Sequence, residues 1–289
     1  MILGVASRNP SYWGTRRILR ALKRRGIQPQ YLKTDEIQLM VGDGASAYYH
    51  DVPLTKLDAI IPRIGRSLTD FGVLLLNHLE IMRVPTTLSK IGLTLARNKF
   101  LALQELRRAK VKIPSSILLG SGFKVGDLVE QLPPPFVMKL LSGTQGVGVM
   151  KVENAKDAAP IVDTLVELKQ LVCVQKFLEN PGEDIRAFVV GDRVVAAMRR
   201  LAAPYEWRSN IHLGGKGITH KLTREQENSA LRAASALKVE IAGVDMIQGK
   251  DGTYVIEVNV SPGFRGLLKA TGIDASDPIA EYAIGKAKR

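Results

Sequence analysis

"IAGVDMIQGKDGTYVIEVNV", residues 241–260, reads as two extended runs of apolar and β-branched residues joined by the turn Gly-Lys-Asp-Gly. Side chains two apart on a strand share a face, so Glu257 and Asn259 lie together while Ile256 and Val258 take the other side. A three-residue loop, Lys250-Asp251-Gly252 with the glycine left-handed, is a common hairpin closure. It pairs Gly249 with Thr253 and Ile247 with Val255, and sets Asp245 directly across from Glu257. Facing carboxylates on a ladder repel each other unless a cation lies between them. With Asn259 they supply three hard oxygen donors, the set that suits a magnesium ion sharing its other ligands with nucleotide phosphates. The competing partner is a neighbouring lysine or arginine. A one-residue slip would turn Glu257 away altogether.

The bulk composition bounds the rest. The 289 residues are 45% hydrophobic and 24% charged, ordinary for a soluble globular chain with ample core. No apolar run approaches the roughly 20 residues that span a bilayer. The opening "MILGVASRNP" has no basic stretch followed by an apolar segment and cleavage site, which argues against secretion. The single Cys173, in the apolar "LVCVQKF", excludes an internal disulfide and a multi-cysteine metal site, and points to a reducing cytoplasm. A formal charge of +13 draws acidic partners of any kind. Part of it lies in "RRILRALKRR" (16–25), a helix pattern with Ile18, Leu19 and Leu22 turned inward.

Strands and helical patterns alternate over the first ninety or so residues, implying an α/β unit with a mostly parallel sheet. "MILGVAS", "PQYLKT", "LDAIIPRIG" and "VPTT" read as strands, and "GTRRILRALKRRGI" and "DFGVLLLNHLEIM" as helices. No G-x-G-x-x-G follows the first strand, so dinucleotide binding has little support. A helix is expected over 96–110. Residues 127–178 then run helix, strand, glycine-bearing loop, strand, helix and strand. "DIRAFVVGDRVVAAMRR" reads as a hairpin turning at Gly191-Asp192, and helices follow from 223 and at the C-terminus. Within "PFVMKLLSGTQGVGVMKV" (135–152), Lys139 ends a strand ahead of Gly143, Gly146 and Gly148. Glycines let backbone N–H groups approach an anion. The spacing is not that of a P-loop, so the expected device is a hairpin tip over phosphates with Lys139 beneath.

Taken together, "IPRIG" (61–65), "ARNK" (96–99), "VMKLLSGTQGVGV" (137–149), "VQKFLENPGEDIRAFVVG" (174–191), "WRSNIHLGG" (207–215), "AGVDMI" (242–247) and "VIEVNVSPGFRGL" (255–267) resemble the ATP-grasp superfamily, and within it the RimK-like L-glutamate ligases. The resemblance covers nearly the whole chain. It implies an N-terminal α/β domain (1–94), a central subdomain (95–178) and a C-terminal subdomain (179–289), with ATP clamped between the last two. By this resemblance Lys99 and Lys139 contact phosphates, Gln175, Lys176 and Phe177 form the adenine edge, and Glu179 and Asp184 lie near ribose and base. Arg208, Ser209 and Asn210 reach the phosphates or the acyl intermediate, with Arg199 or Arg200 assisting, while Asp245, Glu257 and Asn259 hold magnesium. Two ions are expected, with manganese a substitute. Relatives often have glutamate where Lys176 stands and aspartate where Asn98 stands.

The implied reaction joins L-glutamate to an acceptor carboxylate through an acylphosphate, releasing ADP and phosphate. A ribosomal protein C-terminus or a glutamylated coenzyme tail are the acceptors the resemblance offers, with an acidic amino-group carrier protein as an alternative. The resemblance also implies a homo-oligomer, a tetramer. A non-catalytic, basic RNA-binding protein on the same scaffold is the competing class. Aromatics at 6%, without a basic-aromatic stacking platform, argue against it. Among single residues, Arg186 alternates with apolar neighbours, and pairing with a carboxylate or contacting substrate are equally open. Lys99 could be an exposed helix lysine.

Overall fold

The computed structural model describes residues 1–120, 125–141, 148–179, 182–204, 206 and 214–288. The chain begins with β1 (Ile2–Ser7), α1 (Trp13–Arg24) and β2 (Gln28–Lys33). A small antiparallel sheet follows, formed by β3 (Ile37–Val41), β4 (Ala45–Tyr49) and β5 (Val52–Pro53), and then β6 (Ala59–Arg63). β1 lies between β2 and β6, all parallel. Its Leu3, Val5 and Ala6 are fully buried, as expected of a central parallel strand covered on both faces. α1 buries Ile18, Ala21 and Leu22 and gives way to Gly26 at φ +71°, a left-handed position that glycine adopts without strain. The small sheet was not expected from the residue pattern. "VPTT" forms only an isolated bridge, Ile60 to Thr86, and not a strand.

Helices α2 (Thr69–Ile81), α3 (Lys90–Arg97) and α4 (Lys99–Arg108) come next. The single helix expected over 96–110 is in fact broken at Asn98, which leaves helical geometry at φ −96° and ψ 108°. Its side-chain oxygen accepts the Phe100 and Leu101 amides at 3.1 Å each. A cap of this kind stabilises a helix by about 1 kcal/mol. The break places Lys99 at the first position of α4.

The middle of the chain runs β7 (Ser116–Leu119), α5 (Val125–Gln131), β8 (Phe136–Leu140), β9 (Val149–Val152), α6 (Ala155–Glu167) and β10 (Val172–Lys176). The strands pair antiparallel in the order β7-β10-β8-β9. Their core, with Leu119, Leu128, Phe136, Met138, Val162 and Val174, shares no buried residue with the other clusters among the described residues.

The last part holds β11 (Glu183–Val190), β12 (Arg193–Leu201), β13 (Lys216–Thr219), α7 (Arg224–Ala236), β14 (Ile241–Gly249), β15 (Gly252–Asn259), α8 (Arg265–Thr271) and α9 (Ser276–Ala287). Its five-stranded sheet runs β13-β12-β11-β14-β15. β11 and β12 turn at Gly191-Asp192 as expected, with Val190 opposite Arg193. Thr223 and Gln226 close a reciprocal capping box on α7. One face of this sheet, with Ile185, Ala187, Val189 and Val244, packs on α7 and on Leu93, Ala102 and Leu106 of α3 and α4. The other face, with Phe188 and Met198, packs on α1, β1 and the Phe264 to Ala283 segment. No helix among the described residues is long and apolar enough to cross a membrane.

The β14–β15 hairpin corrects one detail of the sequence reading and keeps its consequence. Gly249 pairs with Gly252, so the loop is Lys250-Asp251, one residue shorter than expected. A register shift between the Asp245 and Met246 pairs leaves Ile256 as an extra residue, and Asp245 returns to its place opposite Glu257.

Candidate functional site

Strand alternation decides what faces the site. On β11, Asp184 and Arg186 share a face with Phe188, and on β12 Arg200 shares that of Met198. Asp245 stands opposite both Arg186 and Glu257, while Asn259 stands opposite Gly243. The buried Asp245 therefore has an arginine partner in this structure. Arg186 donates Nε to Oδ1 and Nη2 to Oδ2, each at 2.6 Å. Arg200 makes the same two-pronged bond to Asp184, both at 2.5 Å, and brings Nη2 within 3.1 Å of Asp245 Oδ2. Burial pushes the Asp245 carboxyl upward, but Arg186 and Arg200 outweigh it and hold it below the usual carboxylate range. The same two aspartates hold the Arg200 guanidinium charged against the opposing effect of its burial.

Glu257 is exposed and faces a different set of cations. It favours the charged forms of Arg97, Lys99 and Lys139, each of which burial pushes down. For Lys99 the outcome is a value of about 8. Its ammonium donates to the Leu140 carbonyl at 3.2 Å, so Lys99 is not an exposed helix lysine. Lys139 donates to Gln175 Oε1 at 2.7 Å, and Gln175 Nε2 donates to Ser116 Oγ at 3.0 Å. Arg97 bonds the Ile64 carbonyl at 2.5 Å, and Arg66 donates to the carbonyl of Leu141. Four cations thus gather where β8 ends, near one carboxylate, which is a charge balance suited to a polyanion.

The remaining expected residues divide. The backbone amides of Lys176 and Phe177 are already bonded, to Ser115 O at 2.8 Å and Pro135 O at 3.2 Å. The Phe177 ring lies under Lys151 Nζ at 4.2 Å, and the Lys176 side chain is exposed. Glu179 pairs with Lys250 at 2.7 Å, so it reaches the β14–β15 hairpin. Asp184 is committed to Arg200. Arg199 lies on the opposite face of β12 from Arg200, opposite Ile185, and pairs with Glu183 at 3.2 Å. Gly148 takes φ +73°, and a Cβ there would meet Leu140 at 2.9 Å, so this position requires glycine. Gly143, Gly146, Arg208, Ser209 and Asn210 lie outside the described residues. Arg66 and Arg97 were not singled out from the sequence, although Arg97 stands inside the quoted "ARNK".

The donors fit a divalent cation by their chemistry. Among the described residues no group of three His, Cys, Asp or Glu side chains is placed to hold a metal. The set is two carboxylates and an amide. Asn259 turns Nδ2 toward Asp245 Oδ2 at 3.4 Å and Gly243 O at 3.5 Å, and among the described residues its side-chain oxygen accepts no bond, so it can coordinate. Among the described residues Glu257 has no hydrogen-bond or ion-pair partner, and Asp245 Oδ1 accepts one bond, from Arg186 Nε, with one lone pair left for a second cation.

Residues 1–93 match the RimK PreATP-grasp domain and residues 96–283 the RimK-like ATP-grasp domain. A probable alpha-L-glutamate ligase of Rhodopirellula baltica is 40% identical over 285 residues, covering 98% of this chain and 70% of that protein. A second, from Shewanella denitrificans, is 39% identical and covers 98% of this chain and 95% of its own length. Among solved structures, the ATP-grasp ligase PsnB complexed with minimal precursor superposes with a TM-score of 0.79 at 22% identity, covering 99% of this chain and 98% of its own. D-alanine–D-alanine ligase from Bacillus anthracis complexed with ATP gives 0.73 at 19%, covering 100% and 98%. These two show the shared fold. With family domains matched over nearly its full length and relatives at about 40% identity, the chain belongs to the RimK-like ATP-grasp ligase family.

Proposed function

We propose that the protein joins L-glutamate to the carboxylate of an acidic acceptor, using ATP and releasing ADP and phosphate through an acylphosphate. The observation that carries this is the gathering of Arg66, Arg97, Lys99 and Lys139 beside Glu257, one strand-width from the Asp245 cluster. The glutamate assignment is supported by the relatives' names, probable alpha-L-glutamate ligase. An acceptor such as a ribosomal protein C-terminus or a glutamylated coenzyme tail fits the +13 chain.

In this reading Lys99 and Lys139 bind the terminal phosphates, and Glu257 favours the charged form of each against the effect of burial. Asp245, Glu257 and Asn259 would hold magnesium. When bound, that ion supplies neutralisation of phosphate charge as the γ-phosphoryl group leaves. Arg186 and Arg200 fix the Asp245 carboxylate so that its free lone pairs stay oriented. Arg208 and Asn210, with Ser209, are assigned to the acyl intermediate, and the segment bearing Gly143, Gly146 and Gly148 to excluding water from it. Gln175, Lys176 and Phe177 are assigned to the adenine side, with Glu179 near the ribose. For Asp184 the assignment changes to holding Arg200, and Arg200 replaces Arg199 as the β12 arginine at the site. The domain division at 94 and 178, a cytoplasmic setting and a tetramer are part of the same proposal. Purified protein incubated with ATP, magnesium, glutamate and candidate acceptors is read by mass spectrometry for glutamyl increments and by nucleotide analysis. ADP with phosphate supports the route, and AMP with pyrophosphate refutes it.

A further inference from the structure

Arg63 ends β6 beside Ser7, which ends β1, so both sit at the carboxyl ends of parallel strands, where open α/β sheets bind ligands. Its Nη2 donates to the Pro262 carbonyl at 3.0 Å, and its guanidinium lies 6.0 Å from the centre of the Phe264 ring. Among the described residues no carboxylate reaches it. The side chain is deeply set yet keeps part of its surface open. Burial alone pushes the guanidinium down, to about 10, with no neighbouring charge to offset it. One residue before Pro262, the Ser261 hydroxyl is buried without a hydrogen-bond partner among the described residues. An unpaired cation in such a place is costly unless a ligand supplies the counter-charge.

Its position says which ligand. A Cβ at Gly243 would touch Pro262 at 2.9 Å, Arg186 Nε at 3.7 Å and Asn259 Cβ at 3.7 Å, so Pro262 separates Arg63 from the Asp245 cluster. Neither Lys99 nor Lys139 is among the charges that act on Arg63, nor Arg63 among those that act on them, so Arg63 is set apart from these two ammonium groups. A carboxylate undergoing phosphorylation must lie with the phosphates, so one held at Arg63 does not react. We infer that Arg63, with Ser261 beside it, binds a non-reacting carboxylate of the amino-acid substrate and so directs its amine toward the activated acyl group. This rests on the ligase reading above. The guanidinium has donors left beyond the one given to Pro262, enough for a two-pronged bond.

The test is titration calorimetry of the full chain, saturated with magnesium and a non-hydrolysable ATP analogue, using L-glutamate, L-glutamine and glutarate as probes. Arg63→Met keeps the bulk and removes the charge, and Arg63→Lys restores the charge without the fork. Thermal melts confirm that each variant is folded. A charged hydrogen bond is worth about 1.5–3 kcal/mol, so Arg63→Met should weaken glutamate roughly 10- to 100-fold. Arg63→Lys should weaken it less, and nucleotide affinity should stay within about twofold of wild type. Loss for glutamate and glutamine alike supports the inference and places the α-carboxylate at Arg63. Loss for glutamate alone supports it with the side-chain carboxylate there. Equal glutamate affinity in wild type and Arg63→Met overturns the inference and leaves the ligase reading standing, as does a wild-type protein that turns over ATP but binds none of the three probes. Failure of the wild type to bind nucleotide would sink both.

Discussion

Replacing Lys99 by methionine should make the unliganded protein more stable and less able to bind ATP. Burial brings the ammonium from its ordinary 10.5 to about 8, against the opposing pull of Glu257. The two values lie about 2.5 apart, and at about 1.4 kcal/mol per pH unit the charge costs about 3.5 kcal/mol as an upper bound. Lys99 keeps some contact with water, so screening reduces this to roughly 1–2 kcal/mol. Below pH 8 the lysine is protonated in both the native and unfolded chains and the cost is fully present. Between about 8 and 10.5 the unfolded chain binds more protons than the native one, so wild-type stability rises with pH and the cost disappears. Methionine has similar volume and no charge to desolvate. Thermal melts without nucleotide at pH 7 should therefore place Lys99→Met about 3–6 °C above wild type. By pH 10.5 the two curves should nearly coincide. Adding magnesium and an ATP analogue at pH 7 should raise the wild-type midpoint well above that of the variant. A variant destabilised by the same amount at pH 7 and pH 10.5 would show that Lys99 is a packing residue, and the reasoning from desolvation would fail.

Other substitutions probe neighbouring parts of the site. Arg186→Met leaves the buried Asp245 dependent on Arg200 alone, which should cost about 3–5 kcal/mol in denaturant titrations. Because Asp245 is held below its ordinary range, its contribution is present at neutral pH and lost as pH falls, so this variant should also unfold at a higher pH during acid titration. Asn98→Ala removes the α4 cap at a cost of about 1 kcal/mol, whereas Asn98→Asp should stay within a few tenths by the same melts. Glu257→Gln should abolish glutamyl transfer with the circular dichroism spectrum unchanged, and wild-type turnover in that variant would remove the metal assignment.

How far the residues themselves announced this site depended on what local pattern can encode. Asp245 opposite Glu257 was legible because hairpin pairing follows from a short turn and a period of two. The loop is nevertheless one residue shorter than expected, and the extra residue at Ile256 cancels the difference. Neither a two-residue closure nor a bulge has a strong local signature in "GKDGTYVIE". Arg186 was undecided because an arginine among apolar strand neighbours can pair with a carboxylate or contact substrate, and only the register of β11 against β14 brings it to Asp245. Arg199 and Arg200 are adjacent, and their faces depend on pairing that alternation alone cannot orient. The break at Asn98 was hidden because asparagine is tolerated in a helix, and its capping role shows only in the backbone geometry. Arg63 and Arg66 were visible in "IPRIGR", but burial without a counter-ion is a property of the assembled fold.

The sources of the four cations bear on how the site works. Arg66 follows β6, Arg97 and Lys99 flank the α3–α4 break, Lys139 comes from β8, and Glu257 comes from β15. The sheet carrying Lys139 has its own core, which shares no buried residue with the rest among the described residues. Polar contacts that bind this sheet to its neighbours include Arg66 and Lys99 on the carbonyls of Leu141 and Leu140, and the solvent-exposed pair of Glu179 with Lys250. Exposed pairs of that kind hold two units together only weakly. A polyphosphate placed among these cations would accept bonds from both units at once, each charged bond worth about 1.5–3 kcal/mol. In the proposed reading, nucleotide binding and the approach of the central sheet would be coupled through the same side chains, and weakening any one of the four cations should loosen both together.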